Sequence, residues 1–376
     1  MINRFKLHLD TMSQRTFYAL LVIISLIVYG IRGAGFRKEL WGDDLELFTH
    51  INNRPKPIST LGKIDYLGLF DPYNNYLIVW IRALAHLASF GPDSQITWNV
   101  YVLMTVVYAV VISYICFAIS TFASRRAALL AVGFCTFLPF SNLVILAQVN
   151  TVIWPCALLM IVISATRQYP KSKFGMTVLA IFFVITSIST LTVSMALIIL
   201  VLNLAQDLKR VNKYELVLFC LSSLSFVIQW SVYKPRTNPK LPLPGELHKA
   251  LYNFAPQYIR ERIGASLNGD DQIIFWIIPL MLLIIWITQF NFARQTNWNA
   301  AVSAVKLFVG GFVLLCLLIR GNGWLNTHYL LIPVTMFWIS LTLLFHQNRQ
   351  HASTRMTIAI TVILFATTHS GTYFLL

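Results

Sequence analysis

Apolar runs of about 20 residues recur along this 376-residue chain with short polar loops between them, and that pattern leaves few folds open. A hydrocarbon core of ~30 Å is crossed by a helix of about 20 apolar residues, which satisfies its backbone polar groups internally. Strands of a membrane barrel would instead alternate with period two. Composition agrees: 57% of residues are hydrophobic and 11% charged, against roughly 25% charged in soluble globular chains. The expected fold class is an all-α polytopic membrane protein forming a single transmembrane domain over residues 1–376. No repeat of fixed period, low-complexity tract or soluble domain interrupts it. Arg4, Lys6 and Arg15 precede a first apolar run that lacks a convincing small-residue cleavage site, which reads as a retained first helix rather than a removed signal peptide.

The formal net charge of +15 would suit nucleic acid if it lay on one soluble face. It lies instead in short loops between apolar runs, so it reads as a topology signal, and no nucleic-acid partner is expected. Helices are expected near 16–33, 96–121, 127–142, 143–165, 174–188, 189–205, 214–233, 272–291, 301–319, 329–345 and 356–374, about eleven in all. The run at 75–90 carries Arg82 and His86 near its middle. A charge at the centre of a spanning helix costs at least ~2.5–3.5 kcal/mol, so this run is expected to lie in the interface as an amphipathic helix. With that assignment Arg125-Arg126, Arg167, Lys171, Lys173, Lys209, Arg210, Lys213, Arg294, Arg349 and Arg355 share the cytoplasmic side with the N-terminus.

The opposite, outer face then receives a first loop with its interfacial helices (33–95), a large loop (234–271) and the short loop Arg320–His328. Several membrane helices are expected to break, near Pro139-Phe140-Ser141-Asn142 and Ser187-Ile188-Ser189-Thr190. Polar backbone at membrane depth is tolerated where it lines a protein-filled or watery cavity, so the breaks point to a site. The five cysteines lie inside apolar runs without CxxC spacing and read as core packing.

Trp41-Gly42-Asp43-Asp44-Leu45-Glu46 places two adjacent carboxylates just beyond the first helix. Adjacent side chains diverge and do not form a facing acid/base pair. One of them can act as a base while its neighbour positions it or a cation. Sugar transfer from a phosphate-linked donor needs one base for the acceptor hydroxyl and positive charge for the leaving phosphate. Arg260 and Arg262 in the large loop, Arg82 and Arg320 supply such cations, and Arg suits phosphate through its planar donor fork. Gln148, Asn150 and Trp154 offer sugar hydrogen bonding and stacking, with helix–helix hydrogen bonding as the plain alternative. His328-Tyr329 reads first as part of an aromatic belt. No Walker loop, GxGxxG, HExxH or nucleophile elbow is present.

Gly42-Asp43-Asp44 after a first helix, Asp71-Pro72-Tyr73-Asn74-Asn75-Tyr76 leading into Leu77–Leu87, and Gln148-Val149-Asn150-Thr151-Val152-Ile153-Trp154 together resemble the GT-C superfamily of integral-membrane glycosyltransferases. The resemblance implies that Asp43 is the catalytic base with Asp44 as fallback, and that the transfer is inverting. It further implies a polyprenyl monophosphate donor, a cell-envelope glycan or lipid acceptor, and a place in the bacterial inner membrane with the site facing outward. Taken with the cations and polar residues above, substrate-binding roles are expected for Asp71, Tyr73, Arg82, Gln148, Asn150, Trp154, Arg260, Arg262, Arg320 and His328. Some members use a divalent cation, and Asp43, Asp44 and Asp71 would supply hard oxygen ligands for Mg²⁺, Mn²⁺ or Ca²⁺. The chain lacks the large soluble C-terminal domain that several members carry, which leaves the acceptor open. The alternative is a transporter or flippase of a lipid-linked sugar, which should show polar groups along a path through both leaflets.

Overall fold

The computed structural model describes residues 11–33, 69–70, 77–90, 93–122, 124–129, 131, 149–207, 212–232, 272–322, 331–347 and 358. Every element among them is helical: α1 (Gln14–Gly33), α2 (Val79–Ala88), α3 (Ile96–Phe122), α4 (Ile153–Thr166), α5 (Lys173–Ser189), α6 (Ser194–Gln206), α7 (Lys213–Val232), α8 (Gln272–Thr296), α9 (Trp298–Asn322) and α10 (Leu331–Gln347). Among the described residues three helices are long and apolar enough to cross a membrane: α1, α3 and α7. A fourth span arises if α5 and α6, bent by 120° at their break, count as one. Short polar side chains start several helices. Ser13, Ser172, Asn212 and Asn297 each accept a hydrogen bond from a backbone N–H two or three residues on, satisfying amides that no preceding turn can reach.

The chain divides into two compact units, one built on 1–118 with 143–235 and the other on 119–142 with 236–376. In the first, α4 is buried along its whole length, with α5 and α6 packed against it and α7 packed against both α5 and α6. The outward face of α7 carries Leu216, Val217, Leu221, Leu224, Val227 and Ile228, all exposed, between exposed Tyr214 and Trp230. The two aromatics stand ~24 Å apart at 1.5 Å per residue. An apolar stripe of that length with an aromatic at each end matches a hydrocarbon layer and its two interfaces. Cys220 is exposed on this helix, whereas Cys116 and Cys156 are buried. The core-packing expectation therefore fails for Cys220, because its position on α7 falls in the outward stripe.

In the second unit Ser340 of α10 ties three helices together. Its Oγ accepts from Trp286 Nε1 of α8 at 2.7 Å and donates to the Ala304 carbonyl of α9 at 2.7 Å. Ala304 is fully buried where Ser340 meets its carbonyl, and a small side chain at such a crossing lets membrane helices approach closely. Gly311 marks a close approach: a Cβ there would stand 3.1 Å from the Pro333 carbonyl oxygen and 3.3 Å from Met336 Cβ. Gly311→Leu is expected to part α9 from α10 at a cost of about 1–3 kcal/mol, with Gly311→Ala milder. Thermal unfolding in detergent measures both; equal melting of Gly311→Leu and wild type would show that the helices do not pack there.

Candidate functional site

One end of the first unit is closed by ion pairs. Arg167 caps α4 in a left-handed conformation (φ 56°), with its N–H on the Ile163 carbonyl at 2.8 Å. This residue position usually belongs to glycine. The turn aims the guanidinium at Glu215, which is fully buried, and it grips both carboxylate oxygens at 2.7 and 2.8 Å. Tyr169 OH donates to Glu215 Oε1 at 3.0 Å, Asn203 Nδ2 donates to the Ser164 carbonyl at 2.8 Å, and Asp207 pairs with Arg167. The ends of α4 and α6 and the start of α7 are thereby fastened together. Burial, reinforced by the neighbouring Glu215 charge, pushes the Tyr169 hydroxyl above its ordinary value of 10.0.

Because the folded state holds that proton more tightly than the unfolded state, Tyr169 contributes stability that is complete below pH 10 and declines as pH rises further. The melting temperature of wild type is therefore expected to fall more steeply above pH 10 than that of Tyr169→Phe, which has no proton to lose. Parallel curves would remove Tyr169 from the clamp.

The other end is irregular. Ser189-Thr190-Leu191-Thr192-Val193 is rich in β-branched and hydroxyl side chains, which compete with the helix for backbone hydrogen bonds. Thr190 is extended, its Oγ1 accepts from the Thr192 N–H at 3.3 Å, and a 3₁₀ turn at Leu191–Val193 leads into α6. The expected break near Ser187–Thr190 is thus present. Since α5 begins and α6 ends near the ion-paired end, the bend turns the pair back on itself. A second 3₁₀ turn, Val149–Val152, opens α4, and Tyr108 on α3 shares a hydrogen bond with the Thr151 hydroxyl at 3.2 Å.

α2 lies against both features. At ten residues it is too short to cross a membrane by itself. Ile81, Leu84, Ala85 and Ala88 form its buried stripe, while Arg82 and His86, one turn apart, are only partly buried. Its N-cap residue, Ile78, offers no side-chain hydrogen bond to the first turn. Instead Gln229 Oε1 accepts from the Leu77 N–H at 2.8 Å, Gln229 Nε2 donates to the Leu77 carbonyl at 3.2 Å, and Ser189 Oγ accepts from the Trp80 N–H at 3.0 Å. Trp80 Nε1 donates to Thr186 Oγ1 at 3.0 Å. At the far end Asn99 Nδ2 donates to the Ala88 and Phe90 carbonyls at 2.9 and 3.1 Å. Gln229 adjoins exposed Trp230, so α2 begins at the level of one aromatic boundary of α7.

Of the residues singled out from the sequence, Arg82, Asn150 and Trp154 fall on this end. Trp154 is 7% exposed, enclosed by the bundle rather than open to a ligand, because α4 is buried all round. Asn150 sits in the 3₁₀ turn, and Arg320 lies on α9 of the other unit. Asp43, Asp44, Asp71, Tyr73, Gln148, Arg260, Arg262 and His328 lie outside the described residues, as do the side chains of Asn150 and Arg320. Among the described residues no three His, Cys, Asp or Glu gather to hold a metal. Ser189 belongs to the break expected from the sequence, whereas Thr186, Gln229 and Glu215, and also Lys306, which is 8% exposed on α9, are not singled out there; a polar residue inside an apolar run is the signal that would find them. Comparisons with protein-family models, curated proteins and solved structures give no match to this chain.

Proposed function

We propose that the chain is a GT-C-type membrane glycosyltransferase of about eleven membrane helices, moving a sugar from a polyprenyl monophosphate carrier to a cell-envelope glycan or lipid on the outer face of the bacterial inner membrane. The observation that carries this is the meeting of three irregular features at one end of the first unit: the short helix bearing Arg82, the turn bearing Asn150 and the bend at Thr190. The end opposite bears Arg167, Lys171, Lys173 and Lys213, the cations of the inward loops under the positive-inside rule.

In this reading Asp43 takes the proton of the acceptor hydroxyl. The freed oxygen attacks the anomeric carbon opposite the phosphate, the bond from that carbon to the phosphate oxygen breaks, and its electron pair leaves with the phosphate. Arg82 offsets the charge that develops there. Arg82→Ala is expected to weaken donor binding about tenfold, roughly 1.4 kcal/mol, and Arg82→Lys to recover only part of it, since a lysine lacks the planar fork. Donor titration in nanodiscs measures both, and unchanged affinity in Arg82→Ala would remove Arg82 from the phosphate.

A transporter reading draws on a different observation. The buried face of α7 carries Glu215, Ser222, Ser225 and Gln229, a polar seam joining the two ends. Liposomes holding a labelled polyprenyl-phosphate sugar separate the two readings. The transferase releases polyprenyl monophosphate as the acceptor gains sugar, whereas movement of intact labelled lipid between leaflets without bond cleavage would establish the transporter.

A further inference from the structure

We infer that Gln229, Ser189 and Thr186 are positioning residues that fix α2, and with it Arg82, at the depth of the lipid phosphate; the role of Arg82 here rests on the transferase reading. Gln229 is fully buried, and its amide grips both polar groups of the Leu77 peptide at 2.8 and 3.2 Å. The peptide so held lies five residues before Arg82, about one and a half helical turns. Ser189 and Thr186 work as relays. Each hydroxyl donates back along α5, to the Ile185 and Phe182 carbonyls, and therefore has a lone pair directed to Trp80. The apolar seat of the helix start is Leu77 and Val79 against Ile188, with Val232 alongside.

Hydrophobic contact alone is non-directional and permits sliding. The four hydrogen bonds from α5 and α7 specify register, and α7 is anchored at its other end by the Arg167–Glu215 clamp. Arg82 is thus referenced to the frame of the bundle rather than to the loops that flank α2. A displacement of about 1 Å at a charge-stabilising group is enough to lower turnover up to a hundredfold.

The test uses the full chain in nanodiscs, with hydrogen exchange of the peptide covering 77–90 read beside transfer from a polyprenyl-phosphate sugar. Gln229→Leu keeps the volume and removes both bonds. It is expected to speed exchange in 77–90 at least tenfold, leave exchange in α10 unchanged, and lower kcat by about tenfold to a hundredfold, with the donor KM rising by no more than the roughly tenfold loss of binding expected for Arg82→Ala. Gln229→Glu retains the acceptor for the Leu77 N–H and should recover part of both signals. Ser231→Ala, which loses an exposed local bond on the same helix, should match wild type. If Gln229→Leu does not fold, Thr186→Val and Ser189→Ala remove the Trp80 bonds singly and carry the same expectation. Unchanged exchange in 77–90, or faster exchange with unchanged kcat, would overturn the positioning role. Faster exchange in a protein whose wild type transfers no sugar would uphold the clamp on α2 and defeat the transferase reading, so the two fail separately.

Discussion

Asp43→Asn is expected to lower sugar transfer by about a hundredfold to ten-thousandfold, the range that a positioned general base contributes, while donor binding stays within a few-fold of wild type. Asparagine has nearly the shape of aspartate and keeps a carbonyl acceptor, but it does not take the acceptor's proton. Asp44→Asn is expected to fall by less, because the neighbouring carboxylate positions the base or a cation without itself receiving the proton. Initial rates in membranes with saturating donor measure both. Full transfer in both variants would end the proposal that this acidic pair does the chemistry, and a larger loss in Asp44→Asn would exchange their roles.

Arg167→Ala is expected to be the most damaging single change to the fold among the described residues. Glu215 is fully buried, and among the described residues its charge would keep, without the guanidinium, only the Tyr169 hydroxyl and the Asn203 amide, the latter at 3.4 Å. Stranding a buried charge costs about 3–5 kcal/mol. The same principle makes Arg167→Gln with Glu215→Gln far milder than either single change, since two neutral amides can satisfy each other. Thermal unfolding of the two single variants and the double variant forms a cycle. Additive losses would mean that the pair is not coupled.

The first, third and seventh helices were open to reading because each is a long apolar run with polar residues at both ends, so length and hydropathy alone decide them. The break at Thr190 was open for a local reason as well, since its hydroxyl and β-branched side chains lie within five residues. The ends of α2 were not open. Leu77 and Gln229 are 152 residues apart, and nothing local tells an amide that clamps a distant peptide from one that meets a neighbouring helix. By sequence alone Arg167 reads as a loop cation that sets topology. It is also the partner of Glu215, because the left-handed cap turns its side chain back onto the bundle. The short helix around Arg82 was legible from the cost of a charge in a spanning segment, a global constraint rather than a local one. The chemistry of the acidic pair was legible only through its resemblance to a family, and Asp43 and Asp44 lie outside the described residues.

The most direct measurement is photo-crosslinking with a polyprenyl monophosphate that carries a diazirine beside its phosphate, followed by peptide mapping of the full chain in nanodiscs. A phosphate site at the irregular end of the first unit predicts adducts on residues 77–90, on 149–154 and on the first loop around Asp43, with excess unlabelled carrier competing them away. Adducts spread along α7 from Gln229 to Glu215, or centred on the Arg167–Glu215 end, would contradict it and leave the transporter as the better reading.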